Sequence, residues 1–178
     1  MPCTFMLRPE FPKAGIVDLA ARSGFGDSDQ ACSEAGRRSR IAGYFTREDF
    51  LVLCKSAKAN LRLCKTNSDD LIHQVTQMMM LSTTSELRRI DSLRSLSGIS
   101  WFTASTFLHF TFEDLYPILS ARALWSWGFE IKHDLNFEFW WAYVKACRAL
   151  ASECHVSLRA IGRALSQFAV EQHRTGLA

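Results

Sequence analysis

The residues with most chemical content lie between Leu93 and Leu108. An apolar helical pattern there runs into Leu96-Ser97-Gly98-Ile99-Ser100, and a second opens at once with Trp101-Phe102-Thr103-Ala104-Ser105. Two helices joined by so tight a turn need a small residue where the backbone reverses, and Gly98 supplies it. Ile99 is placed to plug the gap between the helices, and Ala104 is small enough to let them approach. The consequence is a run of outward-facing backbone N–H groups at the start of the second helix. Such a terminus carries about half a positive charge and suits a phosphate oxygen. The binding residues expected on this basis are Ser97, Gly98, Ile99, Ser100 and Trp101.

Other chemistry-bearing residues are less well placed. Asp91, Glu113 and Asp114 lie close in sequence and are candidates for a catalytic carboxylate, although for Glu113 and Asp114 solvated turn acids are the much stronger reading. The histidines at 73, 109, 133, 155 and 173 form no pair at metal-ligand spacing, so no metal site is expected. His109 falls on the helix after the turn and reads as a satisfied, partly buried side chain. Tyr116, Trp125 and Trp127 have the rings to stack on an extruded base, at about 1–3 kcal/mol per base. For the two tryptophans core packing is the stronger reading. Arg122 is a better functional candidate, because a guanidinium there can clamp a phosphate or a base edge.

The elements that must position these groups read as helices. Thr46-Arg47-Glu48-Asp49 fits a capping box before Phe50, Leu53, Cys54 and Ala57. Asn67-Ser68-Asp69-Asp70 starts a second helix with the stripe Leu71, Ile72, Val75, Met78 and Met79. Ser85-Glu86 opens a third, whose face is Leu87, Ile90, Leu93 and Leu96. Tyr116-Pro117 breaks the pattern after the helix that begins near Trp101. A helix from about Leu119 to Trp127 ends on Gly128. A long helix then carries Phe137, Trp140, Trp141, Val144, Cys147, Leu150 and Ala151. Ser157 caps the last, with Leu165, Phe168 and Ala169 on one face. No period-2 strand pattern occurs, and the fold is expected to be all-α, a helical bundle. Residues 1–43 show no sustained period and are expected to form a loosely packed arm ahead of a helical domain over 44–178. Within that arm Arg37-Arg38-Ser39-Arg40 reads as a solvated basic loop.

The turn resembles the helix-hairpin-helix element of the DNA glycosylase superfamily related to endonuclease III. There the hairpin reads Leu-Pro-Gly-Val-Gly, followed two residues later by Thr-Ala or Val-Ala, and Ser97 and Ser100 stand here for the Pro and the second Gly. Further stretches are similar to a group of small uncharacterised bacterial glycosylase-like proteins. They are Gly43-Tyr44-Phe45-Thr46-Arg47-Glu48-Asp49-Phe50-Leu51, Thr103-Ala104-Ser105, Leu108-His109-Phe110, and Tyr116-Pro117-Ile118-Leu119 before Arg122-Ala123-Leu124-Trp125-Ser126. The resemblance implies a DNA glycosylase-like fold and a partner in double-stranded DNA, gripped through its backbone. It implies base-excision repair as the activity and no organic cofactor. A monovalent cation held by hairpin carbonyls is the one ion that it adds.

In that superfamily an Asp about twenty residues past the hairpin stabilises the charge that develops on the deoxyribose. The related motif Tyr-Pro-Ile-Leu-Asp is here Tyr116-Pro117-Ile118-Leu119-Ser120, so Ser120 holds the catalytic position with a neutral hydroxyl. The nucleophilic Lys of bifunctional members is matched by Phe102, which excludes Schiff-base chemistry at that position. The final helix has Gly162 and Ser166 where the group has an Asp and a Trp. Two functions follow from this pattern: a monofunctional glycosylase, or an inactive relative that binds DNA or a protein.

Composition frames both. With 48% hydrophobic residues in 178, the chain can build a core, and 21 Lys plus Arg against 18 Asp plus Glu permits a nucleic-acid partner without demanding one. The longest apolar run is six residues, Phe139 to Val144, far short of the roughly 18 that a membrane span needs. Arg8, Pro9 and Glu10 interrupt any secretory signal, and the six cysteines are expected as reduced thiols in a cytoplasm.

Overall fold

A computed structural model describes residues 4–24, 27–112, 114–129 and 135–175. Glu113 and His133, considered above, lie outside that set, as does Cys3, one of the six cysteines. A 3-10 turn, Lys13–Gly15, leads into α1 (Ile16–Arg22), which is followed by α2 (Asp27–Ala42), α3 (Arg47–Ser56), α4 (Leu61–Cys64) and α5 (Asp69–Met80). Then come α6 (Glu86–Arg94), α7 (Trp101–Thr111), α8 (Ala121–Ser126), α9 (Phe137–Cys154) and α10 (Leu158–Thr175). No strand occurs among the described residues, so the all-α expectation holds. Nor is any of their helices long and apolar enough to cross a membrane.

The chain forms two compact units, one of residues 25–115 and one that joins 1–24 to 116–178. This division replaces the expected arm over 1–43 followed by one domain. In the second unit α1 packs on α10, with Ile16 and Leu19 buried. Ahead of it Phe5 enters a cluster of Trp127, Phe129, Phe139 and Tyr143. Arg8 donates from Nε to the Trp125 carbonyl at 2.8 Å and lies over the Trp125 ring. The N-terminal segment is therefore integral to its unit, because its few apolar side chains insert where α8, α9 and α10 leave room.

In the 25–115 unit the centre is α7, every residue of which is buried except Phe102. Phe107 meets Phe45 and Phe50 at centroid distances of 5.1 and 5.3 Å. Against α7 lies α2, the second helix that the sequence pattern did not reveal. Its buried residues are Cys32, Ala35, Gly36 and Ser39, at helical spacing but all small. A Cβ on Gly36 would fall 2.0 Å from the Phe110 carbonyl oxygen, so the two backbones touch. A stripe of small residues gives close approach without a hydrophobic signal, and that is why periodicity missed it. The basic run 37–40 is consequently helical rather than a loop: Arg37 pairs with Glu34, Arg38 holds Asp49, and Ser39 is buried.

Caps fall where the sequence puts them. Thr46, Ser68 and Ser85 each accept the amide three residues on, as does Ser157. The Asp49 carboxylate, expected to complete a capping box, instead binds Arg38. The predicted stripes need correction too: Leu71, Met78 and Leu87 are exposed. Arg89 takes the buried place on α6, donating from Nη1 to the Met79 carbonyl and from Nη2 to the carbonyls of Leu81 and Thr84 at 3.2 Å. Its guanidinium carbon is 4.6 Å from the Phe112 ring centroid. One charge thus satisfies the exit of α5 and the loop to α6. Replacing Arg89 by Ala leaves these carbonyls without donors and is expected to destabilise the fold by about 2–4 kcal/mol, read as a lowered urea midpoint.

Candidate functional site

The reversal between α6 and α7 is built on three supports. The first is conformational: Gly98 has φ +82°, the left-handed region that an L side chain rarely adopts. The second is contact with α4. A Cβ on Gly98 would lie 2.8 Å from Cys64 Sγ, 3.0 Å from the Cys64 amide nitrogen and 3.1 Å from the Asn60 carbonyl oxygen. Glycine is required here for backbone shape and for space together. The third is Asn67, buried at the end of the segment after α4. Its Oδ1 accepts from the Ser97 amide at 2.8 Å, and its Nδ2 donates to the Ser97 carbonyl at 3.0 Å and to the Cys64 carbonyl at 2.9 Å.

These supports decide which amides of the turn find a hydrogen-bond partner within the unit. Ser97 is expected as a contact residue, yet its amide is consumed by Asn67. The Ile99 amide closes on the Leu96 carbonyl at 3.2 Å, and the Ile99 side chain is buried, as the plug reading requires. Ser100 is the N-cap of α7: its Oγ accepts from the Thr103 amide at 3.3 Å. The amides of Gly98, Ser100 and Phe102 have no hydrogen-bond partner among the described residues. Trp101 is buried, and Arg94 stacks on its ring at 4.1 Å, so its indole is a structural anchor for the turn. The segment that supports Gly98 is strongly basic. From Leu51 to Ser68 it holds Lys55, Lys58, Arg62 and Lys65 and no acidic residue, and all four cations are exposed.

Beneath the turn Cys64 lies against Cys54. Both are buried thiols, and burial, together with the neighbouring Cys64 thiol, pushes Cys54 well above its ordinary range. Both therefore act as small apolar packing groups, inert as nucleophiles.

Ser120 and Arg122 belong to the other unit. Ser120 is the N-cap of α8, its Oγ accepting from the Ala123 amide at 3.1 Å and lying 3.5 Å from Ser166 Oγ. The position is neutral on both sides, since Ser166 faces it from α10. On the same helix a Cβ at Gly162 would meet nothing within 4 Å. Arg122 is exposed and makes no ion pair among the described residues. The aromatic candidates are committed to packing. Tyr116 is buried and stacked on Trp140, Trp127 is buried, and Trp125 lies between Arg8 and Phe168. His109 is buried with its ring on Phe110. Asp91 is exposed and paired with Arg94, while Asp114 is exposed with φ +56°. None of these acids is held against the turn.

Substituting Gly98 by Ala tests the support. The left-handed conformation and the displaced α4 together are expected to destabilise by about 2–4 kcal/mol in urea denaturation. Adding Cys64→Ala recovers only part, because backbone atoms at 3.0 and 3.1 Å remain in the way. Comparison with family models, with curated proteins and with solved structures finds no match to this chain.

Proposed function

We propose that the chain binds duplex DNA through its sugar-phosphate backbone at the α6–α7 reversal, as a helix-hairpin-helix protein of the glycosylase-like type, and that Ser120 performs no base excision. The observation that carries the reading is the set of unpartnered amides at Gly98, Ser100 and Phe102 on a turn made rigid by Asn67 and α4. Amides at the head of an eleven-residue helix bind a phosphate oxygen without rearrangement, because the donors are already oriented and the helix dipole has the right sign. Lys55, Lys58, Arg62 and Lys65 on the supporting segment add the charge that draws in a polyanion.

Absence of excision follows from charge. An oxocarbenium-like transition state needs a fixed negative group, and removing one such preorganised group typically costs about 10²–10³ in rate. Ser120 and Ser166 present two neutral hydroxyls, and the Ser120 oxygen is already engaged as a cap.

Binding is tested with a fluorescent duplex. Four cations and the amide contacts predict a log–log salt slope of about −3, hence roughly fiftyfold weaker binding at 200 mM than at 50 mM salt. Ser100→Asp retains a good N-cap but sets a negative charge where the phosphate would sit, and is expected to weaken binding at least about tenfold with the fold intact. Arg62→Ala lowers the slope by about 1. No binding at about 50 mM salt, or full binding by Ser100→Asp, removes the proposal.

The second half is read in an excision assay. The unaltered chain is expected to release no base from duplexes carrying uracil, alkylated or oxidised bases. Ser120→Ala should cost about 1 kcal/mol of stability through the lost cap, and Ser120→Asp should not. Base release by the unaltered chain would show that Ser120 is not an inert replacement.

A further inference from the structure

A cleft of about 450 Å³ opens where the C-terminal end of α2 meets the N-terminal turn of α3. A space of this size accepts a small organic molecule rather than a lone ion. Its lining includes Arg38 and Ser39 from α2, Tyr44 from the connecting loop, and Glu48 and Asp49 from α3. Two features have no structural use in the unit. Ser39 is only 1% exposed, and its hydroxyl has no hydrogen-bond partner among the described residues. A helical serine usually returns its hydroxyl to a carbonyl of the preceding turn, and an unmet buried hydroxyl is costly. Glu48 is exposed and lies in no ion pair among the described residues.

The sign of the cleft follows from its pairs. Arg38 lies between Asp49, whose side chain is 5% exposed, and Glu34 at 3.6 Å. Arg37 is held by Glu34 at 2.6 Å. Arg47, next to Glu48 in sequence, turns away to Asp69 and to the carbonyls of Asn67 and Lys65, each at 2.7 Å. Arg37 and Arg38 are therefore matched by Glu34 and Asp49, and Glu48, which also faces the Arg38 charge without an ion pair, leaves the lining one negative charge in excess. Carbonyls at the end of α2 add negative potential. An anion is thereby disfavoured despite the α3 N-terminus, whose first turn already carries Glu48 and Asp49. The apolar part of the lining comes from Tyr44 and Ala42. Tyr44 is held in place by His73, with ring centroids 3.9 Å apart.

We propose that this cleft binds a small organic cation, an amine or amidine on a flat apolar body, with Glu48 taking the charge, Ser39 a further polar group and Tyr44 the flat face. The site is independent of the DNA reading, since it uses none of the residues of the α6–α7 turn.

Benzamidine is the probe, and benzamide, of the same shape but neutral, is its control. Binding to the full chain is followed by amide shifts of residues 38–49 in NMR titrations. Benzamidine is expected to bind with a dissociation constant on the order of a millimolar, at least about tenfold tighter than benzamide, because a charge-assisted hydrogen bond is about twice as strong as a neutral one. Glu48→Gln should bring the two within about twofold of each other, and Ser39→Ala should weaken benzamidine several-fold without lowering thermal stability. Glu48 is exposed, so its exchange leaves the fold intact. Shifts absent up to about 10 mM benzamidine, equal binding of benzamide, or an unchanged preference in Glu48→Gln would each overturn the assignment.

Discussion

The contact on which the 25–115 unit turns is the one between Gly98 and α4. A backbone without a Cβ lies against Cys64 and Asn60, and it can do so only at φ +82°. Asn67 locks the same junction by giving and accepting hydrogen bonds at Ser97. The direction in which α7 leaves the turn is thereby fixed by a helix of only four residues, and with it the direction of the unpartnered amides. A rigid donor set favours a ligand because little conformational entropy is lost on binding. Most of α7 is buried, so its N-terminus is the part of that helix that has the freedom to meet anything outside the unit.

How much of this was legible in the sequence depends on the kind of signal each residue carries. Polar caps are local and chemical, and Thr46, Ser68, Ser85 and Ser157 cap the helices that follow them as the sequence indicates, whereas the capping roles of Ser100 and Ser120 appear only in the structure. Gly98 was legible for the same reason, as a small residue between two apolar patterns. The role of Asn67 was not, since Ser97, the partner that locks the turn, is 30 residues away. Nor was α2, because Cys32, Ala35, Gly36 and Ser39 pack by smallness rather than by hydrophobicity. Apolar periodicity erred in the opposite sense on α5 and α6. Leu71, Met78 and Leu87 satisfy the pattern but stay exposed, while Thr76 and Arg89 are buried by virtue of hydrogen bonds that a hydropathy count does not weigh.

The neutrality around Ser120 has a structural side as well. As an N-cap the residue has a job that either Ser or Asp performs, so the exchange of one for the other is nearly free for folding and decisive for charge. Ser126 anchors the same helix to α10 through the Leu165 carbonyl at 2.7 Å, and Tyr143 fixes the approach through the Ile118 carbonyl at 2.8 Å. The geometry of α8 therefore does not rely on a carboxylate at position 120.

Charge in the 25–115 unit is sorted rather than mixed. The run from Leu51 to Ser68 has four cations and no acid, whereas the α2–α3 cleft keeps a carboxylate in excess. Arg47 is the residue that separates them. It stands beside Glu48 in the chain, yet it spends its donors on Lys65, Asn67 and Asp69. Had it turned the other way, the cleft would be neutral and the segment carrying α4 would lose a clamp next to Asn67. The bonds that steady the support of the α6–α7 turn thus also keep the Arg47 guanidinium away from Glu48, so the two surfaces of this unit carry opposite signs. Such fields extend about a Debye length into solvent, so the two surfaces act on ions of opposite charge before contact.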